Sequence, residues 1–379
     1  MTYFLPRDVV LKWLETPCVY HISRDDLYEL DETSFAFLRQ CASDAGGSSD
    51  DREFIGYCLA EGLLTLTKTS GGHPPIHKSP EPSLRYLELQ ITERCNLKCR
   101  HCYIHKDVLS ELPLADIRTA LKEFEAMQGL RVMITGGEPL LHRNFPELNA
   151  CLPGFAFRKI LFTNGLLVYE NLLRDLSVDE IQVSIDGLEE AHDALRGKGS
   201  YRKTMKAVNL AMNAGFEVSV ATMIHAMNLA DFDEMEEIFR KTGIKDWTVD
   251  VPCVSGRLKN NEDFQISAEK AGRYLRYGFG ESFHTSTPGF ACGVHLMSIM
   301  ANGHIAKCTF YGDQPVGRIS NGLRECWEKI TPVRLNELEC DCEYIESCRG
   351  GCRYRAALLG NPCGKDLYKC FSYDIMGKI

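Results

Sequence analysis

The sequence predicts an α/β protein whose parallel-stranded centre lies between a small N-terminal unit and a cysteine-rich C-terminal region. Three observations support this prediction. Short apolar strands alternate with helical periods between residues 84 and about 252. A stretch rich in Gly, Pro and Ser, at 69–83, is typical of a linker. Eleven of the seventeen cysteines lie in three groups, at 95–102, 292–308 and 340–370.

Residues 1–68 have the pattern of a small mixed unit. Two strand-like pieces, CVYHI and DLYEL, precede two helix-like stretches, DETSFAFLRQCAS and DDREFIGYCLAEG. Asp31 and Thr33 are the candidate N-caps of the first helix, because a side-chain oxygen at that position accepts from the free N–H groups of the first turn.

The central region contains six strand candidates joined by helices. The strands are predicted at YLELQIT, LRVMITG, RKILFTNG, EIQVSID, EVSVATMI and DWTVDVP. The helices include LADIRTALKEFEAM, FPELNACL, YRKTMKAVNLAMNAG and FDEMEEIFRKTG. Crossover helices imply parallel pairing, in a barrel or an open sheet. Sites in such sheets lie at the carboxyl ends of the strands, where the notable motifs of this chain also occur.

Composition narrows the class of protein. With 44% hydrophobic and 25% charged residues, the 379-residue chain reads as globular and long enough for two or three domains. A net charge of −9 argues against nucleic acid as a partner. The N-terminus MTYFLPRDVV lacks a signal-peptide layout and no apolar run could span a bilayer, so we expect a cytoplasmic protein without membrane contact. In that compartment clustered cysteines indicate metal binding or redox chemistry rather than disulfides.

The loop after the first central strand carries three cysteines, in the sequence ITERCNLKCRHCYIH. Cys95, Cys99 and Cys102 are spaced so that one short loop can supply thiolates to three irons of a [4Fe–4S] cluster. No further cysteine follows until Cys151, so the fourth iron is left open to another ligand. A structural zinc site or a chance group of cysteines is the alternative.

This Cys-x3-Cys-x2-Cys loop, followed by the aromatic Tyr103, resembles the signature of the radical S-adenosylmethionine superfamily. The resemblance implies a partial (β/α)6 barrel in which the open iron binds the amino and carboxylate groups of S-adenosylmethionine. It also implies reductive cleavage of that cosubstrate to a 5′-deoxyadenosyl radical, with a ferredoxin or flavodoxin as the reducing partner.

Three further strand ends agree with this resemblance: ITGGEPLL, FTNG and VSIDGLEEAHDALRG. Glycines allow a close approach of the backbone to the cosubstrate, and a carboxylate accepts from its ammonium group. Arg196 is a candidate partner of the methionyl carboxylate, with a surface role as the alternative. The implied cosubstrate-binding residues are Tyr103, Gly136, Gly137, Glu138, Thr163, Asn164, Ser184, Asp186 and Arg196. The motifs name no catalytic acid or base.

The cysteines of the C-terminal region resemble the SPASM extension of this superfamily, which holds auxiliary [4Fe–4S] clusters. The resemblance assigns two ligand sets, the first formed by Cys292, Cys308 and Cys352 and the second by Cys340, Cys342, Cys348 and Cys370. The fourth ligand of the first set is Cys363 or Cys253, or the position is open to a substrate thiolate. One residue separates Cys340 from Cys342 where the family has two, and a structural zinc ribbon is the alternative. Taken alone, Cys253 has the context of a small buried apolar residue.

The N-terminal residues resemble the small winged-helix-like fold found with enzymes that modify ribosomally made peptides. In that fold a leader peptide binds as an added edge strand, and a unit that only packs against the barrel is the alternative. The expected domains are the winged-helix-like unit at 1–68, a linker at 69–83, the barrel at 84–284 and the SPASM domain at 285–379.

Together these resemblances predict an enzyme that modifies a precursor peptide by hydrogen abstraction, giving a cross-link, a thioether or another oxidised product. The alternatives within enzymes are radical modification of a small molecule or tetrapyrrole, such as oxidative decarboxylation of a propionate, and maturation of a sulfatase. A non-catalytic iron–sulfur electron carrier is the alternative of a different class. The Gly-Gly-Glu and Ser-Ile-Asp-Gly motifs argue against a carrier, because a carrier needs no cosubstrate pocket.

Overall fold

The computed structural model describes residues 1–68, 72–104, 109–280, 283–284 and 288–375. The first part of the predicted linker, 69–71, and the first three residues of the predicted C-terminal domain, 285–287, lie outside the described residues. In the parts of the chain that are described, no helix has the length and apolarity that crossing a bilayer requires.

The N-terminal unit is a three-stranded antiparallel sheet with two helices. Its elements are β1 (Val9–Trp13), β2 (Pro17–His21), β3 (Asp26–Glu29), α1 (Glu32–Cys41) and α2 (Arg52–Ala60). The two predicted strand pieces are β2 and β3. The strand β1 lacks a period of two because its side chains are buried on both faces, Lys12 included. Of the two candidate caps for α1, Asp31 is the one used, since its carboxylate accepts from the Ser34 N–H at 2.8 Å.

The centre of the molecule confirms the predicted alternation of strands and helices. The strands are β4 (Leu84–Thr92), β5 (Arg131–Gly136), β6 (Arg158–Thr163), β7 (Glu180–Ser184), β8 (Glu217–Met223) and β9 (Trp247–Asp250). Each pairs in parallel with the next. The helices are α3 (Leu114–Ala126), α4 (Phe145–Cys151), α5 (Glu170–Asp175), α6 (Glu189–Arg196), α7 (Ser200–Asn213) and α8 (Phe232–Thr242). Because every crossover is helical, the carboxyl ends of all six strands meet at one edge.

The C-terminal region is joined to the same sheet. Its elements are α9 (Ala268–Gly272), β10 (Phe290–Cys292), β11 (His295–Ile299), β12 (His304–Ala306), β13 (Gly317–Arg318), α10 (Leu323–Glu328), β14 (Val333–Arg334), α11 (Ile345–Cys348), α12 (Arg353–Leu358) and α13 (Leu367–Ser372). The strand β11 pairs in parallel with β4, so among the described residues the sheet has nine strands in the order β13-β12-β11-β4-β5-β6-β7-β8-β9. The cysteine-rich region is thus joined to the barrel sheet through β11. The sequence did not indicate this pairing.

The N-terminal unit packs against the amino ends of the barrel strands. The ammonium group of Lys12 donates to the carbonyl oxygens of Gly129 at 3.0 Å and Ala156 at 2.9 Å, each two residues before a barrel strand begins. Arg158, the first residue of β6, donates to the carbonyl oxygen of Ser23 at 2.8 Å. The unit therefore lies at the end of the barrel opposite to the strand-end motifs.

Candidate functional site

A cavity of about 650 Å³ opens at the carboxyl ends of the barrel strands. Its volume lies within the range of small-molecule and cofactor sites. Most of the predicted site residues of the barrel line it: Cys95, Cys99, Cys102, Tyr103, Gly136, Gly137, Thr163, Asn164, Ser184 and Arg196. The fold therefore brings together motifs that are up to about a hundred residues apart in the sequence.

The cysteine loop is held at the mouth of this cavity by backbone contacts. The Arg100 N–H donates to the Leu195 carbonyl at 2.9 Å, and the Arg257 N–H donates to the Cys102 carbonyl at 3.0 Å. Burial raises the pKa of the Cys99 thiol to about 11 and also raises the pKa of the Cys95 and Cys102 thiols. Metal coordination deprotonates such thiols. The free energy of binding a cluster therefore offsets the cost of forming thiolates in a buried site.

The donor set on this loop fits a cluster with one open iron. Three thiols face one cavity, and the cavity has room for a ligand beside them. Between two of these cysteines lies His101, whose buried Nδ1 has no hydrogen-bond partner among the described residues. An unpaired buried nitrogen is costly unless a ligand or water satisfies it, which supports a bound group at this position.

The two glycines of the Gly-Gly-Glu motif let the β5 end approach the start of the cysteine loop. A Cβ on Gly136 would lie 2.4 Å from the Thr92 carbonyl oxygen, and one on Gly137 would lie 2.4 Å from that of Arg94. Two backbone hydrogen bonds join the segments, from Gly137 N to Thr92 O at 2.7 Å and from Glu138 N to Arg94 O at 2.8 Å. These contacts fix the backbone directly before Cys95.

The carboxylate of Glu138 is directed into the protein rather than into the cavity. It is fully buried and accepts from the Thr163 hydroxyl at 3.0 Å, the Asn164 N–H at 2.9 Å and the Leu140 N–H at 3.2 Å. Burial raises the pKa of Glu138 to about 7. The side chain therefore connects the end of β5 to the end of β6, and through these bonds it positions Thr163 and Asn164.

Asn164 links the third strand end to the cysteine loop. Its side-chain amide donates to Oδ1 of Asn96 at 2.7 Å and lies 3.9 Å from the Sγ atom of Cys95. Its backbone carbonyl accepts from the Thr204 hydroxyl at 2.9 Å. The residue is thus fixed on both sides, with its amide beside the first cysteine.

The fourth strand end places a buried ion pair beside the cavity. Asp186 is fully buried, and its Oδ2 accepts from Nε of Arg196 at 2.5 Å. Its Oδ1 accepts from the Met223 N–H at 2.7 Å. Despite burial, the charges of Arg196 and nearby histidines hold the pKa of Asp186 well below its usual value. The Arg196 side chain is largely buried and lines the cavity, so the surface alternative for it does not apply.

Tyr103 connects the cysteine loop to the C-terminal region. Its ring lies 6.5 Å from the ring of Phe310, which in turn stacks on Tyr354 at 5.6 Å. Phe310 follows the candidate ligand Cys308 by two residues, and Tyr354 follows the candidate ligand Cys352 by two. These aromatic contacts therefore connect the cysteine loop to the segments of Cys308 and Cys352, two ligands of the first predicted auxiliary set.

Within each of the two predicted ligand sets, the C-terminal thiols affect the pKa values of one another. Burial raises the pKa of Cys308 to about 12, and the charges of Glu88 and Cys292 add to the rise. Burial also raises the pKa of Cys292, with a contribution from Cys352. In the second group burial raises the pKa of Cys370 to about 11, with contributions from the three other predicted ligands, Cys340, Cys348 and Cys342.

Across the described parts of the chain, no three Cys, His, Asp or Glu side chains converge as ligands of a single metal ion. The thiolates around a four-iron cluster stand further apart than the ligands of one ion, because the cluster lies between them. Arg353 is fully buried, and its positive charge acts on Cys292 of the first predicted set and on Cys340 of the second.

Glu88 is a candidate functional residue that the sequence motifs did not identify. It lies in the middle of β4, lines the cavity and accepts from the Thr309 N–H at 3.2 Å as well as from the Ser298 hydroxyl. Burial raises its pKa. The signal in the sequence is the acidic residue within the otherwise largely apolar strand YLELQIT. A partly buried carboxyl group that faces a cavity is suited to accept a proton.

Comparison with known proteins agrees with this geometry. Residues 89–241 match the radical SAM superfamily. The chain is 25% identical over 343 residues to the AdoMet-dependent heme synthase of Nitratidesulfovibrio vulgaris, covering 76% of this chain and 93% of that protein. It is 27% identical over 315 residues to the mycofactocin maturase MftC of Mycolicibacterium smegmatis, covering 73% of this chain and 80% of that protein.

The fold is also similar to that of Streptococcus suis SuiB. The structure of SuiB bound to its precursor peptide SuiA superposes with a TM-score of 0.70 at 15% identity, covering 97% of this chain and 100% of that one. The structure of SuiB bound to S-adenosylmethionine has a TM-score of 0.68 with the same coverage. Residues 89–241 therefore form a radical S-adenosylmethionine domain, and the chain is an enzyme that uses a [4Fe–4S] cluster and S-adenosylmethionine and that resembles peptide maturases.

Proposed function

We propose that this enzyme modifies a ribosomally made precursor peptide by removing a hydrogen atom from one of its residues. The observation that carries the proposal is the coverage of the SuiB likeness. The superposition covers 97% of this chain, so it includes residues of the N-terminal unit. SuiB in that structure is bound to a precursor peptide. The likeness to MftC, named as a maturase, adds support.

The bound cluster and cosubstrate supply a 5′-deoxyadenosyl radical, and the residues of this chain orient and enclose it. Cys95, Cys99 and Cys102 hold the cluster in this proposal. Arg196, whose Nε donates to Asp186, would bind the methionyl carboxylate, and the backbone of Gly136 and Gly137, which line the same cavity, would contact the ammonium group. Ser184, at the end of β7, lines the same cavity as a further polar contact.

The N-terminal sheet has the edge that a peptide needs for strand addition. Its order is β1-β2-β3, so β3 pairs with a strand on one side only within the described residues. The outer side of β1 is bridged at Trp13 by Lys78, whereas no strand among the described residues pairs with the outer side of β3. Next to β3, the Tyr28 ring meets the exposed Tyr57 ring of α2 at 6.3 Å, giving an aromatic surface beside the edge.

The position of this edge constrains the substrate. The N-terminal unit contacts the amino ends of the barrel strands, whereas the cavity lies at their carboxyl ends. A strand as long as β4 spans about 30 Å at roughly 3.3 Å per residue. A precursor bound on the β3 edge therefore needs at least about ten extended residues between its leader segment and the modified residue.

A second candidate function is the modification of a tetrapyrrole. It is favoured by the likeness to the heme synthase, which covers 93% of that protein. That likeness covers 76% of this chain, so it accounts for less of the molecule than the SuiB likeness does.

The test is a comparison of substrates with the full chain, reconstituted without oxygen and reduced in the presence of S-adenosylmethionine. The probes are synthetic peptides encoded by short reading frames beside the gene and, separately, iron coproporphyrin III. We expect a peptide to lose hydrogen, seen by mass spectrometry, and deuterium placed at the modified carbon to appear in 5′-deoxyadenosine. Loss of carbon dioxide from the porphyrin, with every peptide unchanged, would overturn the proposal in favour of the tetrapyrrole.

A further inference from the structure

We infer that Cys253 is the fourth protein ligand of the first auxiliary cluster, so that this cluster has no open iron. The inference rests on the assignment of Cys292, Cys308 and Cys352 to that cluster, and it deepens the proposed function by naming how the cluster acts. The sequence alone leaves three possibilities for this position: Cys253, Cys363 or a substrate thiolate.

An ion-pair chain ties the segment of Cys253 to that of Cys352. Asp250, three residues before Cys253, lies 2.6 Å from Nη1 of Arg355, which is three residues after Cys352. The same guanidinium donates to the fully buried Asp366 at 2.9 Å. Asp366 in turn accepts from the Cys352 N–H at 2.7 Å. Charged hydrogen bonds of this kind fix geometry, so the segments that carry the two cysteines are held together, close enough for the charge of Cys352 to contribute to the raised pKa of Cys253, whose main cause is burial.

The Cys253 side chain is itself in the right surroundings. It is only 5% exposed and lines the main cavity together with Thr309 and Phe310, the two residues that follow Cys308. Phe310 and Tyr311 both contact the Tyr354 ring, at 5.6 Å and 5.1 Å, which draws the Cys308 segment against the Cys352 segment. Cys253 thus lies where these two segments meet the barrel.

Cys363 is placed elsewhere. Its carbonyl oxygen accepts from the Glu339 N–H at 2.9 Å, and Glu339 directly precedes Cys340 of the second ligand set. Its own N–H donates to the Asn361 side chain at 2.9 Å. Arg353 holds the neighbouring loop through the Pro362 and Gly364 carbonyl oxygens at 3.0 and 2.7 Å. The backbone contacts of Cys363 therefore associate it with the second set.

The loop after Cys253 also contacts the catalytic cysteine loop. The Arg257 N–H donates to the Cys102 carbonyl at 3.0 Å, and its guanidinium lies 3.5 Å from the Cys99 carbonyl. With Cys253 as a ligand, the two clusters are joined through the protein backbone. The path runs over the four peptide bonds from Cys253 to Arg257 and then over the hydrogen bond from Arg257 to Cys102. The auxiliary cluster is then bound to the wall of the reaction cavity.

A cluster with four cysteine ligands accepts electrons but offers no iron to a substrate thiolate. Such a cluster would serve as a one-electron acceptor for the substrate radical left after hydrogen abstraction, and Glu88, which lines the cavity, is the candidate base for the proton released with that electron. Both electrons and protons then balance for a two-electron oxidation. The inference therefore favours products formed by outer-sphere oxidation over a thioether formed at a cluster-bound sulfur.

The test uses the full chain with Cys95, Cys99 and Cys102 replaced by Ala, so that only auxiliary clusters contribute to the spectra. Cys253→Ala and Cys363→Ala are compared in this background. After mild oxidation with ferricyanide, a four-iron cluster that lacks one cysteine ligand loses that iron and shows the EPR signal of a three-iron cluster. We expect this signal from Cys253→Ala and not from the parent or from Cys363→Ala.

Other results would overturn the inference. The three-iron signal in the parent means an open site, and the signal in Cys363→Ala alone assigns that residue. If Cys253→Ala loses the cluster entirely, Cys253→Ser is measured instead, because its side-chain oxygen can still act as a ligand. An EPR spectrum of the reduced Ser variant identical to that of the parent would exclude coordination by Cys253. A parent with far fewer than about eight irons per chain would instead remove the auxiliary assignment itself. None of these readouts depends on the substrate being a peptide.

Discussion

The carboxylate of Asp186 holds the guanidinium of Arg196 at 2.5 Å, and the pair spans from the end of β7 to the last residue of α6. Asp186 is fully buried, whereas Arg196 faces the cavity. A buried carboxylate that accepts from Nε leaves the terminal nitrogens of arginine free to point toward an anionic group. The pair therefore presents a fixed cation to the cavity.

Removing either partner should weaken cosubstrate binding. Asp186→Asn and Arg196→Ala are each expected to raise the Kd of S-adenosylmethionine about tenfold or more, equivalent to about 1.4 kcal/mol. Because the aspartate acts through the arginine, the double variant should bind no worse than the weaker single variant. Isothermal titration of the reconstituted enzyme measures this, and additive losses would show that Asp186 does not act through Arg196.

Closing the space beside Gly137 should displace the cysteine loop. In Gly137→Ala, the new Cβ would lie 2.4 Å from the Arg94 carbonyl oxygen, directly before Cys95. We expect about four irons fewer per chain and at least a tenfold slower release of 5′-deoxyadenosine. Gly154→Ala is the matched control, since a Cβ at that position meets no atom within 4 Å. Full iron content and normal turnover in Gly137→Ala would contradict this role of the close contact.

Burial of Lys12 should make stability depend on pH. Burial lowers the pKa of Lys12 from 10.5 to about 8, so between these values the unfolded chain binds more protons than the folded one. The free energy of unfolding attributable to this group therefore rises with pH across that window, by up to about 3 kcal/mol. Thermal melts of the wild type and of Lys12→Met should show the wild type gaining stability relative to the variant from pH 8 to pH 10. A constant difference would mean that Lys12 does not titrate in this range.

Loss of Arg158 should separate the N-terminal unit from the barrel. Its buried guanidinium pairs with Glu180 at 2.8 Å and lies 3.5 Å from Asp25 of the N-terminal unit. Arg158→Met removes the nearest cation of the buried Glu180, while Asp25 keeps Arg131 at 2.6 Å, and we expect a loss of about 3 kcal/mol in the free energy of unfolding. Urea denaturation and hydrogen exchange of residues 9–29 measure it.

The control for that experiment is Arg202→Met. Arg202 pairs with Glu189 at 2.7 Å, but its side chain is 77% exposed. An exposed pair contributes roughly 0–1 kcal/mol. Equal losses in the two variants would show that Arg158 acts as an ordinary surface cation.

The sequence by itself determined the alternation of strands and helices in the centre of the chain and the position of the cysteine loop. The six central strands follow from local periodicity, and the cysteine loop follows from spacing within eight residues, so neither depends on distant parts of the chain. The strand-end rule then predicted where the motifs meet, because parallel strands joined by helices place their carboxyl ends at one edge.

Only the tertiary structure decided how the three regions contact one another. The pairing of β11 with β4 joins residues some 200 positions apart, and no local pattern encodes a partner at that distance. The inward direction of the Glu138 carboxylate depends on the neighbouring strand that supplies its donors. The approach of the Cys253 segment to the Cys352 segment depends on Arg355, which pairs with Asp250 at the end of β9 and with Asp366 of the C-terminal region. Long-range contacts of this kind arise from packing and charge pairing in the folded chain, which spacing along the sequence does not record.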